Sequence, residues 1–158
     1  MPGKMWLDDT PYIWLERNLK GLGVTMLVSA IYDLGLGLSN LLFPSWLGGL
    51  LGIPVPEDLF YLYLWSLAHL VFACFCILAW LDIKRNILIA AGAIVARVSY
   101  ALFLFLSVWL LHVRPAWAIL GGVSLAFAVV HYILLRLSDF GLWQVLVQAG
   151  NPPGMRRK

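Results

Sequence analysis

The sequence predicts an all-α membrane protein: an antiparallel bundle of four transmembrane helices, with a short interfacial helix at each end and both termini in the cytoplasm. Hydrophobic residues are 62% of the 158 and charged residues only 12%, whereas a soluble domain carries about a quarter charged residues. Four apolar stretches, 21–43, 59–81, 87–111 and 116–137, each have the length of roughly 20 residues that crosses a bilayer. They are joined by short connections, so residues 1–158 read as one membrane domain. These runs are too long and too continuously apolar for barrel strands. A helix satisfies every backbone group within its own segment, which the bilayer core demands.

The first element, 8–20, mixes Tyr12, Ile13, Trp14 and Leu19 with Asp8, Asp9, Glu16, Arg17 and Lys20, the composition of a helix lying at the interface. Thr10 suits its cap and Pro11 its first helical position. Within 21–43, Val28-Ser29-Ala30 resembles a signal-peptide cleavage site. The apolar run ahead of it is short, however, and the pattern continues past Asp33 and Asn40 to Phe43, so the segment is expected to stay as a helix.

The segments 59–81, 87–111 and 116–137 follow, with connecting loops at 44–58, 82–86 and 112–115. Short connections force neighbouring helices to run in opposite directions. The tail 139–148 places Phe140, Leu142, Trp143, Val145, Leu146 and Val147 beside Gln144 and Gln148, a second interfacial segment, and Asn151-Pro152-Pro153-Gly154 ends it.

Loop charge sets the orientation. Lys4, Arg17, Lys20, Lys84, Arg85, Arg136, Arg156, Arg157 and Lys158 fall on one side of this layout, and only Arg114 falls opposite. That side is cytoplasmic by the positive-inside rule, and the bias points to a bacterial inner membrane. The net charge of +3 therefore reads as topology and attraction to anionic lipid, not as a footprint for nucleic acid. Trp46, Tyr61, Tyr63, Trp65, Trp109 and Trp117 toward one end, and Trp6, Tyr12, Trp14, Trp80 and Trp143 toward the other, read as interface belts.

Helical periodicity gives each segment a small-or-polar stripe. Thr25, Ser29, Asp33, Gly37 and Asn40 stack on the first, and Ser66, His69, Ala73, Cys76 and Trp80 on the second. Ala93, Arg97, Tyr100, Leu104 and Ser107 stack on the third, and Gly121, Ser124, Ala128, His131 and Ser138 on the fourth. Small residues let helices approach closely and polar ones bond across, so the stripes are expected to meet inside the bundle.

Depth follows from the helical rise of about 1.5 Å per residue, counted from the inner charges. Asp33 and His69 lie about 20 Å in and Arg97 about 17 Å, but His131 only about 8 Å. The first three share a level, where Asp33 and Arg97 have the complementary charge for a buried ion pair and His69 can join them. Such a cluster has two readings, a lock on helix register or a ligand or proton site. Tyr100 and Asn40 are secondary members, and His131 reads as bonding a carbonyl or water near the inner edge.

Two histidines raise the question of haem or another pigment, held by His69 or by His131. Their depths differ by about 12 Å, too much for one bis-histidine haem. Cys74 and Cys76 are two residues apart on one helix, so their side chains diverge and read as small apolar residues. No metal-ligand spacing, phosphate loop or nucleophile elbow occurs in the sequence.

Leu50-Leu51-Gly52-Ile53-Pro54-Val55-Pro56 and Leu81-Asp82-Ile83-Lys84-Arg85-Asn86, set in this four-helix layout, resemble the DoxX-like group of small membrane proteins over residues 15–137. That group is functionally heterogeneous: some members resemble quinone-linked oxidoreductase subunits and others associate with partner membrane enzymes. The resemblance implies no particular catalytic residue.

Two functions are compatible with these features. The chain is expected to act as a non-catalytic accessory or scaffolding subunit, partnered by the bilayer and by other membrane subunits, with the polar cluster locking its bundle. Alternatively, Asp33, His69 and Arg97 bind a quinone, a lipid-like molecule or a proton at the midplane.

Overall fold

The computed structural model describes residues 10–147 apart from 53 and 56. Among these the chain is all-helical: α1 (Thr10–Leu42), α2 (Pro44–Leu51), α3 (Phe60–Leu81), α4 (Ile87–Leu110), α5 (Ala116–Leu137) and α6 (Leu142–Val147). Four of them, α1, α3, α4 and α5, are long and apolar enough to cross a membrane.

Two elements depart from the expected layout. Residues 10–20, expected to form a separate interfacial helix with 8 and 9, are the opening turns of the 33-residue α1; residues 8 and 9 lie outside the described residues. No proline interrupts 16–24, and Gly21 and Gly23 each cost a continuous helix only about 1 kcal/mol. Asn18 and Leu19 are already buried, so packing draws this stretch into the bundle. The connection 44–58, expected as a loop, holds α2. Pro44 starts it with its preset φ, and Gly52 at φ 64° ends it in the left-handed region that glycine tolerates. At the other end, α6 falls within the expected segment 139–148, and residues 148–158 lie outside the described residues.

The long helices form a closed ring. Helix α1 packs most extensively on α3, and α4 on α5; α5 closes back onto α1, and α3 touches α4 least of the neighbouring pairs. Along α1 and α3, a Cβ at Gly37 would meet Leu70 and one at Gly23 would meet Trp80, while Asp33 bonds His69 and Ser29 faces Cys76. Along α1 and α5, Gly21 lies against Leu134 and Asn18 Nδ2 donates to the Leu137 carbonyl at 3.2 Å. At one end of the ring Lys84 Nζ lies 3.6 Å from Glu16. At the opposite end Arg114 Nη1 donates to the Gly52 carbonyl at 2.6 Å.

Small side chains fill the helix contacts, as expected where lipid removes the hydrophobic drive for helix association and close packing must supply it. Ala30, Ala73, Cys76, Ala79, Ala90 and Leu135 are buried in one apolar cluster. Leu36, Leu104 and Leu120 form a second, smaller one. Asp33 and Arg97 sit between the two clusters in chain position on α1 and α4, and His69 lies between Ala73 of the first and Trp65, which packs against the second, so the polar layer divides the core.

Candidate intramembrane ligand site

Asp33 lies on the α1 face that carries Ser29 one turn earlier, His69 on the buried stripe of α3 and Arg97 on that of α4. All three are buried, Asp33 and Arg97 almost completely. Arg97 Nη2 donates to Asp33 Oδ2 and to Ser29 Oγ. Its charge therefore spans the bundle interior from α4 to α1, although these helices are not adjacent in the ring. The other carboxylate oxygen, Oδ1, lies 2.8 Å from His69 Nδ1. An ionised carboxylate only accepts, so Nδ1 carries the proton and donates it, and in the neutral ring Nε2 is the acceptor nitrogen.

The pairing compensates what burial costs. A charge in the bilayer core is expensive unless paired, and here each carboxylate oxygen has its own donor. The guanidinium is also held between two rings, with Cζ 5.0 Å from the Phe72 centroid and 4.8 Å from that of Phe127. Both distances fall within the range of cation–π attraction. Its own hydrogen bonds run through Nη2, and buried Nε has no partner among the described residues. Ser124 Oγ donates to the Arg97 carbonyl at 3.3 Å, tying α5 to the same turn of α4.

The cluster floors a cavity of about 220 Å³. Asp33, His69, Arg97 and Ser124 form its buried end, and the exposed Ala68 of α3 and Ala96 of α4 lie at its open end. The aromatic wall consists of Trp65, Phe72 and Tyr100. Trp65 Nε1 donates to Tyr100 Oη at 3.2 Å, which leaves the tyrosine hydroxyl proton for another acceptor. The Trp65 and Tyr100 rings stand edge-on to the His69 ring, 4.7 and 5.7 Å away between centroids. The site thus offers donors from Arg97 and Tyr100 and an acceptor at His69 Nε2, enough to orient a carbonyl or hydroxyl group.

The remaining sequence candidates are placed elsewhere. Asn40 is buried, but its amide donates within α1 to the Leu36 carbonyl at 3.1 Å. His131 is fully buried beside Phe127, centroids 6.0 Å apart, and neither ring nitrogen has a partner among the described residues. No group of three or more metal-ligating side chains occurs among the described residues. Ser29, Phe72 and Phe127 were not singled out as site residues from sequence. Ser29 had a signal, one turn before Asp33 on the polar stripe. Phe72 and Phe127 had none, because only packing separates an aromatic on a guanidinium from one facing lipid.

No family model, curated protein or solved structure matches this chain.

Proposed function

We propose that this chain is a small integral membrane protein that binds a quinone or another lipid-like molecule through the Asp33–His69–Arg97 cluster. The carrying observation is the convergence of Arg97, His69 and Tyr100 on one cavity while Asp33 is already paired. A pure structural lock would need the ion pair alone. In the proposed complex Arg97 and Tyr100 donate to a carbonyl oxygen of the ligand. His69 Nε2 accepts from a hydroxyl, or takes its proton, with Asp33 stabilising the resulting imidazolium.

The bundle is antiparallel, with its basic end in the cytoplasm of a bacterial inner membrane. The α1–α3 contacts support this order, since residue numbers rise on one helix as they fall on the other. The meeting of Lys84 with Glu16 at the end opposite Arg114 supports one basic face. Membership of the DoxX-like group belongs to the same proposal and rests on the two loop phrases and the four-helix layout.

The test is organic extraction of protein purified in native membrane nanodiscs, followed by mass spectrometry. Wild-type protein is expected to retain a carbonyl-containing lipophile that Tyr100→Phe and Arg97→Gln both lose. Identical extracts from all three proteins would overturn the reading.

A second reading, a non-catalytic accessory subunit of a larger complex, is favoured by a different surface. Ala118, Gly122 and Ala126 follow one another at four-residue steps on α5, the last two exposed, and a side chain at Gly122 would meet nothing within 4 Å. Small residues at such spacing suit the close approach of another helix. Gentle solubilisation that yields a monodisperse monomer without copurifying subunits would end this reading.

A further inference from the structure

The cavity opens on the flank of the bundle, at the middle of α3 and α4. Its open end lies between α3 and α4, the loosest pair in the ring, and the residues there are Ala68 and Ala96. Two methyl groups leave a gap where leucines or phenylalanines would close it. Directly beside this mouth runs an apolar trough on α3, lined by Leu64, Leu67, Val71 and Phe75 together with Ala68 and Phe72. The last two residues also line the polar cavity, so the trough and the cavity share a border. Phe72 stands on it, with one side in the trough and its ring over Arg97.

Size and charge restrict what can occupy the two compartments together. About 220 Å³ is below the roughly 300–1,000 Å³ of pockets that enclose drug-sized ligands. The cavity therefore takes a head group of a few heavy atoms, while the remainder of the molecule lies outside. The Arg97 and Asp33 charges cancel. An ionised head would bring an uncompensated charge into hydrocarbon, which is costly. An uncharged carbonyl needs only the donors already present.

Resting on the ligand-site reading above, we infer that the occupant is an uncharged, carbonyl-headed amphiphile with a single apolar chain, which enters sideways from the bilayer between Ala68 and Ala96. Its head reaches Arg97 and its chain lies on the α3 trough. Ala68 and Ala96 are then specificity determinants of access.

The full chain in phosphatidylcholine nanodiscs is photolabelled with diazirine-bearing methyl palmitate, palmitate and hexadecane, and the adducts are mapped by mass spectrometry. The ester is expected to label residues 64–75 and 96–100 about ten-fold more than either other probe, the scale of one charge-assisted hydrogen bond. Ala96→Phe and Ala68→Phe, placed on opposite sides of the mouth, each reduce that labelling to the hydrocarbon level. Val95→Phe, on the exposed surface of α4, leaves it unchanged. Two variants keep the test decisive if one fails to fold. Preferential labelling by palmitate, or ester labelling that survives both alanine replacements, overturns the lateral, uncharged occupant while leaving a ligand site in place. Displacement of the ester by a decyl-substituted benzoquinone identifies a ring carbonyl as a form of the same head. Labelling that is equal for all three probes and insensitive to Arg97→Gln removes the ligand site itself, and with it this inference.

Discussion

Arg97 on α4 reaches across the ring to Asp33 on α1, two helices that are not neighbours, and the pair ties opposite sides of the bundle through its interior. Removing one partner leaves the other as a buried, uncompensated charge. Asp33→Asn and Arg97→Gln are each expected to destabilise the protein by roughly 3–5 kcal/mol. The double replacement should recover most of that loss, because neither charge then remains. Thermal unfolding in detergent, followed by monodispersity on size-exclusion chromatography, provides the measurement. Additive losses in the double variant would mean that the two residues do not act as a pair.

Close approach of α1 and α3 depends on Gly37. A Cβ there would sit 2.9 Å from Leu70 and 3.0 Å from the Ser66 carbonyl oxygen, and the second contact is with backbone that cannot rotate away. Gly37→Ala should therefore push α3 outward, costing about 1–3 kcal/mol, as overpacking does. Gly35, two residues earlier, has open space where a Cβ would stand, so Gly35→Ala serves as a matched control that gains up to about 1 kcal/mol from helix propensity. Equal melting temperatures for the two variants would show that the contact yields without cost.

Much of this arrangement was legible in the sequence for identifiable reasons. Membrane spans are set by hydropathy, so four long apolar helices were legible, although α1 starts well before the expected residue 21. Helical rise is uniform, so counting inward from the basic residues placed Asp33, His69 and Arg97 at one level, and the structure brings these three together. What stayed hidden depends on packing between helices. Continuity of α1 through 10–20 follows from burial of Asn18 and Leu19 against the bundle, which no local signal announces. The gap between α3 and α4, with Ala68 and Ala96 at its edges, depends on how unequally the ring closes. Ala73 is buried and Ala68 exposed on the same helix, yet the two are indistinguishable in composition.

His131 provides a further stability test, one ring removed from Arg97 across Phe127. It is fully buried with both ring nitrogens unpartnered among the described residues, and an unmade hydrogen bond in the interior costs about 1–3 kcal/mol. His131→Leu keeps an apolar side chain of comparable bulk beside Phe127 and removes the polar atoms. Its melting temperature should rise or stay level. A clear fall would instead reveal a hydrogen-bonded histidine, such as one bound to an internal water.

The orientation of the bundle has its own test, since the basic end and the Arg114 end lie on opposite sides of the proposed membrane. Native thiols need removal first, because Cys74 is exposed on the outer surface of α3. In a Cys74→Ser, Cys76→Ser background, Lys84→Cys and Glu57→Cys place single thiols at exposed positions in the two sets of connections. A membrane-impermeant maleimide added to intact bacterial spheroplasts should label position 57 and leave position 84 unmodified. Inverted vesicles should reverse the pattern, because the positive-inside rule keeps Lys84 and Arg85 cytoplasmic. Labelling of position 84 from outside would invert the topology, and labelling of both positions from one side would overturn the up-and-down order.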